Sequence, residues 1–137
     1  MAYWLLKSEP AVYSWQQLLI DGRTCWDGVR NPQALGYLRA MALADLALFY
    51  HSNTGREIVG ICRVVRTWYT PPGAPDRGPG MVDVEPVRPL AQAVNLATIR
   101  ATPDLQGLAL IRQVRLSVLP VAPEHWQVLL RLARTEQ

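Results

Sequence analysis

The stretch Leu46-Ala47-Leu48-Phe49-Tyr50-His51-Ser52-Asn53-Thr54-Gly55-Arg56-Glu57-Ile58-Val59-Gly60-Ile61-Cys62-Arg63-Val64-Val65-Arg66-Thr67-Trp68 decides the fold class. On either side of a polar segment carrying Asn53 and Gly55, β-branched and aromatic residues dominate, and neither run repeats at helical spacing. Such residues suit a pleated surface. Leu46 to Tyr50 and Glu57 to Trp68 therefore read as two core strands, joined by a hairpin over His51 to Arg56.

Upstream, Tyr3 to Lys7 is a short apolar and aromatic run that breaks at Ser8-Glu9-Pro10, as a buried strand does. Ser14 and Gln17 have the spacing of a capping box, so a short helix runs from about Trp15 to Ile20 and closes at Asp21-Gly22. Asn31 as N-cap and Pro32 as first helical residue open a second helix, with Ala34, Leu35, Leu38 and Met41 on one face and Arg39 on its exposed edge. Gly36 weakens that helix by roughly 1 kcal/mol relative to alanine, so packing must hold it.

Downstream, Thr70 to Gly80 is crowded with proline and glycine and reads as a mobile loop. Met81 to Val87 alternates as a half-exposed strand, Asn95 to Ala101 forms one or two helical turns, and Asp104 to Leu110 is irregular. Val114 to Leu119 reads as a strand ending before Pro120. Pro123 opens a closing helix with Trp126, Leu129, Leu130 and Ala133 on one face. No repeat, second-domain boundary or regular βαβ alternation appears, and the pattern predicts a curled barrel of about five or six strands flanked by short helices.

At 137 residues the chain suits one domain, a size that buries roughly two thirds of the surface its unfolded form exposes. Apolar residues make up 50% and charged residues 18%, which excludes a disordered tail. A net charge of +3 and a pI near 9.2 permit phosphate contact without demanding it, and any such attraction is modest and salt-sensitive. Cys25 and Cys62 are too few for a disulfide framework and lack zinc-knuckle spacing, so a reducing cytoplasm is expected. The N-terminus has no signal-like core, and no apolar run approaches the roughly 20 residues that span a bilayer, so no membrane partner is expected.

The chemistry concentrates in Trp26-Asp27-Gly28-Val29-Arg30-Asn31-Pro32. A flat indole beside backbone N–H donors at a helix start suits a planar, hydrogen-bonding ligand such as a nucleobase. Each residue also has a plainer reading. Trp26 serves equally as a core indole, Asn31 as an N-cap, and Arg30 as a partner of Asp27 or of phosphate. His51 beside Ser52 invites a nucleophile-and-base reading, but strand neighbours face opposite ways and no third orienting group follows. Cys25 reads as a small buried hydrophobe rather than a thiol nucleophile, and Cys25, Cys62, His51 and His125 lack metal-ligand spacing. Arg63, Arg66, Arg112 and Arg115 could rim a phosphate track or simply be surface. Trp126 beside His125 is a docking candidate but fits the core better.

Taken in order, Tyr3-Trp4-Leu5-Leu6-Lys7-Ser8-Glu9-Pro10, the segment from Trp26 to Asn31, Phe49-Tyr50-His51-Ser52, Val59-Gly60-Ile61 and Arg115-Leu116-Ser117-Val118 resemble the EVE domain family over nearly the whole chain. That family includes small bacterial proteins and sits among the PUA-like barrels with the YTH and ASCH domains. The resemblance implies an α+β fold, a PUA-like pseudo-barrel of about five or six mixed strands flanked by short helices, as a single domain over residues 1–137. It also implies a non-catalytic module that binds a modified base of DNA or RNA in an aromatic-lined pocket, without a cofactor. Nucleic acid is then the expected partner. The implied site comprises Lys7, Ser8, Glu9, Trp26, Gly28, Val29, Arg30, Asn31, Tyr50, His51 and Ser52. Lys7-Ser8 and Trp26 look similar to the pocket strand end and cage tryptophan of YTH domains, with Tyr50 to Ser52 on the facing strand end. The alternatives are an ASCH-like nucleotide-processing hydrolase and a protein-interaction module. Two departures bear on the pocket: Pro71-Pro72-Gly73 and Gly80-Met81 replace a longer insertion and a tryptophan, and Gln33-Ala34-Leu35-Gly36 lacks the Arg-Asn pair usual after that alanine.

Overall fold

The computed structural model describes residues 1–73 and 79–137. Residues 74–78 of the expected mobile loop lie outside the described residues. The strands are β1 (Tyr3–Ser8), β2 (Thr24–Trp26), β3 (Leu46–His51), β4 (Glu57–Tyr69), β5 (Met81–Asn95) and β6 (Val118–Val121), in one mixed six-stranded sheet ordered β2-β5-β4-β3-β1-β6. Around it lie α1 (Trp15–Asp21), α2 (Pro32–Ala40), α3 (Leu96–Ala101), a 3-10 turn (Pro103–Leu105), α4 (Ala109–Arg112) and α5 (Pro123–Leu132). This is the α+β pseudo-barrel that the sequence predicts.

Inside the sheet, β1 and β3 form a parallel pair, in register from Tyr3 opposite Leu46 to Ser8 opposite His51. Parallel pairs are covered on both faces, so their strands read as continuous apolar runs rather than alternating ones. Trp4, Leu5 and Leu6 on β1 and all five residues from Leu46 to Tyr50 are buried. The expected hairpin joins β3 to β4, with a bulge at Val59 where Phe49 pairs with Gly60 and Tyr50 with Ile58.

Curvature follows from one contact. β2 lies three places from β3 along the sheet, yet the Trp26 ring meets Phe49 edge-on with centroids 5.5 Å apart. That requires the sheet to curl β2 back over β3. Phe49 also meets Trp15 of α1 edge-on at 5.5 Å, which makes the chain's single phenylalanine the hub of the core aromatics.

Three expectations need correction. β2 was not anticipated, because three residues carry too little pattern; Asp83 and its neighbours on β5 hold it. Met81 to Val87 is not half-exposed: Met81 to Val84 are all buried between β2 and β4, and the strand continues through Pro86 and Pro89 to Asn95. Both prolines lie beyond the β2 pairing, where β5 has one strand neighbour and a missing N–H need break no ladder. The last strand is Val118–Val121, not Val114 to Leu119, and holds Pro120 because β6 is an edge strand paired only with β1.

Helix ends follow the local chemistry. The Ser14 hydroxyl accepts from the Gln17 N–H at 3.0 Å, and Gly22 closes α1 at φ 73°. The Gln17 side chain instead donates to Asp21, so the capping box is half formed. Trp126, Leu129, Leu130 and Ala133 are all buried, which places the α5 face in the core rather than at a docking surface.

Candidate functional site

The two edges of the sheet, β2 and β6, do not pair with each other, and a cavity of about 490 Å³ opens at that seam. One wall is Thr24 to Trp26 with the following Asp27 to Arg30; the other is Lys7 and Ser8 at the end of β1 with Ser117 before β6. Val12 and Tyr13, from the turn that follows β1, line it as well. An incompletely closed barrel thus turns its own gap into a pocket of ligand-binding size.

Of the expected residues, Lys7, Ser8, Trp26, Gly28, Val29 and Arg30 come together around this cavity. Trp26 is only 8% exposed, so the indole is both core and cavity wall. Gly28 sits at φ 76°, a left-handed conformation that favours glycine and turns the chain after the indole. Arg30 is exposed and forms no ion pair with Asp27. Ser8 donates to the Tyr13 carbonyl at 2.6 Å, tying together two walls of the cavity.

The others lie elsewhere. Tyr50 near the end of β3 and Ser52 in the turn after it line a smaller hollow on the other side of Lys7. His51 faces away, and its Nε2 accepts the Trp15 backbone N–H at 3.0 Å. Burial pulls the His51 pKa below its usual value, against an opposing effect of Glu57, in keeping with a neutral acceptor ring. Asn31 caps α2, its Oδ1 accepting from Gln33 N at 2.8 Å and Ala34 N at 3.1 Å. Glu9 is exposed, and its carbonyl accepts from the Val12 and Tyr13 N–H groups.

Sequence reasoning missed Val12, Tyr13, Thr24, Cys25, Asp27 and Ser117 as cavity wall. It also missed the brace behind them. Asp83, 8% exposed, accepts from Arg23 at 2.9 Å and from the Tyr69 hydroxyl at 2.5 Å, clamping β2 onto β5. The available signal was a carboxylate between Val82 and Val84, since a buried charge demands a partner. Cys25 is exposed at the cavity, contrary to the expected buried hydrophobe. Partial desolvation of its sulfur at the cavity wall, then Asp27 and Asp83, push its pKa up, the opposite of an activated thiolate.

Two of the four arginines that read as a phosphate rim or as ordinary surface have partners within the chain. Arg63 pairs with Glu85, and Arg66 stacks 3.5 Å over the Tyr69 ring. Among the described residues no cluster of three or more His, Cys, Asp or Glu could hold a metal ion, and no helix is long and apolar enough to cross a membrane.

The family model of the EVE domain matches residues 2–132. The chain belongs to the EVE domain family. Rat thymocyte nuclear protein 1 is 33% identical over 98% of this chain and 74% of its own length, and the human protein is 31% identical over 98% and 75%. The solved structure of Rpa0253 from Rhodopseudomonas palustris superposes with a TM-score of 0.92 at 41% identity, covering 98% of this chain and 94% of that one. Human THYN1 protein, solved in complex with 5-methylcytosine-containing DNA, superposes at 0.89 with 31% identity over the whole of both chains. A Zygosaccharomyces rouxii YTH domain, 10% identical with a TM-score of 0.56, covers 99% of this chain and 88% of that one and shares the fold, as the PUA-like resemblance implies.

Proposed function

We propose that this EVE domain is a non-catalytic module that reads a modified base of DNA or RNA in the seam cavity. The observation that carries the reading is the cavity wall itself: Trp26 followed by the open backbone of Asp27 to Arg30, facing Lys7 and Ser8 across about 490 Å³. An aromatic ring beside amide and hydroxyl groups supplies apolar contact and edge recognition to one planar ligand. The human relative's complex with 5-methylcytosine DNA supports a modified base as that ligand.

The same geometry speaks against acid–base or nucleophilic work. The acceptor nitrogen of His51 is occupied by the Trp15 N–H, and the surroundings of Cys25 raise its thiol pKa rather than lower it. Both cysteines are free, in keeping with our proposal of a reducing cytoplasmic setting.

Contact with one aromatic side chain contributes on the order of 1 to 3 kcal/mol per base, so micromolar affinity for a short oligonucleotide is expected. Trp26→Ala should weaken binding by the fraction that stays folded about tenfold or more, and should also lower stability by about 3 to 5 kcal/mol because the indole is part of the core. The test is a titration of single-stranded DNA and RNA with and without 5-methylcytosine or N6-methyladenosine, against both proteins, with circular dichroism as folding control. If folded wild type binds neither oligonucleotide nor nucleoside above background, the reading is wrong.

A further inference from the structure

On the far side of Lys7 from the seam cavity lies a hollow of about 220 Å³ whose polar wall is Lys7, Tyr50, Ser52, Asn53, Arg56 and Arg100. Three cations converge there and no carboxylate lines it. Arg56 and Arg100 form no ion pair among the described residues, whereas Arg23 and Arg63 each have one. Lys7 gives one hydrogen to the Val114 carbonyl at 2.9 Å, which leaves further donors on its ammonium. Like charges repel, so gathering them without a counter-charge leaves a site that an anion would complete.

The hairpin is shaped to make that convergence. Asn53 at φ 68° and Arg56 at φ 50° are two of the four non-glycine residues in the left-handed region among the described residues, and both line this hollow. Such conformations persist where the surroundings enforce them and cluster at ligand sites. Burial pushes the Tyr50 hydroxyl pKa up while Arg56 and Arg100 pull it back, so both guanidiniums act on one phenol. Lys7 lines this hollow and the seam cavity alike.

We propose that Arg56 and Arg100 hold a phosphodiester of the nucleic-acid backbone in this hollow, one side chain away from the inserted base. The placement of the base rests on the function proposed above; the anion site itself does not. Guanidinium forks match phosphate oxygens, and the hydroxyls of Tyr50 and Ser52 add donors to the same ligand.

Two titrations test it, each on wild type and on the Arg56→Gln, Arg100→Gln double variant, whose sites are exposed and so do not threaten the fold. In the first, inorganic phosphate is added to 15N-labelled protein against chloride of equal ionic strength. Saturable amide shifts confined to residues 50–56 and 100, lost in the variant, are expected. In the second, a single strand with one 5-methylcytosine is compared with the free nucleoside. The variant should bind the strand about tenfold more weakly, with a log K against log salt slope smaller by about 0.7 per lost contact, and the nucleoside equally well. A methylphosphonate beside the base should reproduce the loss in wild type. Equal slopes and equal phosphate shifts in both proteins would overturn the anion site while leaving the base reader intact. Arginine-dependent phosphate binding without any base binding would do the reverse.

Discussion

Gly60 shows how one missing side chain positions the aromatic core. A Cβ built there would lie 2.5 Å from the Trp15 ring, inside any tolerable contact, and that ring is wedged against Phe49. Gly60→Ala must push the indole outward, and overpacking of this kind costs about 1 to 3 kcal/mol. A lowered urea midpoint at unchanged m-value is the expected result; an unchanged midpoint would mean that α1 moves freely. Gly80 plays the same part for Trp68, whose ring a Cβ would meet at 2.4 Å. Arg39 lies 4.5 Å over the same Trp68 ring. Gly28 differs from both: nothing crowds it, and only its backbone angle favours glycine.

At the level of the element, β2 is the piece on which the site depends. Three residues cannot sustain a strand, so the Arg23–Asp83–Tyr69 contacts hold Thr24 to Trp26 in place. Arg23 is half exposed, which discounts the ion pair itself. The larger loss on Asp83→Asn is the charge-assisted acceptance by a buried carboxylate, on the order of 1 to 3 kcal/mol. Faster hydrogen exchange of the Thr24 to Trp26 amides than of those in β3 is expected, together with weaker oligonucleotide binding. Uniform change across the sheet would assign Asp83 to general stability instead. At the start of α2, the Asn31 Oδ1 is taken up by two backbone donors.

Over the whole molecule, burial of ionisable groups makes alkaline pH destabilising. The buried Cys62 thiol is pushed from 9.0 up to about 12 by burial, and the Tyr69 hydroxyl from 10.0 up to about 12 by burial and by its bond to Asp83. Both stay protonated when folded at pH values where the unfolded chain has ionised. Stability from them is complete below about pH 9 and falls as pH rises toward 12. Lys7 opposes this, since burial lowers its pKa and the folded state then holds fewer protons than the unfolded one. Urea midpoints at pH 8 and 10.5 should fall between the two, and Cys62→Ala or Tyr69→Phe should flatten the fall. A midpoint independent of pH would contradict it.

What the amino-acid order determined by itself is local: the apolar runs of β1, β3 and β4, the Ser14 and Asn31 caps, the Gly22 stop and the buried face of α5. Each rests on residues within a few positions of one another, where propensity and periodicity act. The chain also carried the Lys7-Ser8 and Trp26-to-Arg30 halves of the cavity, though not their meeting. Tertiary structure alone decided that meeting. It depends on a sheet that curls without closing and on a three-residue strand clamped across 60 positions by Arg23 and Asp83. Such long-range pairings leave little trace in sequence, because either partner alone looks like an ordinary surface or strand residue.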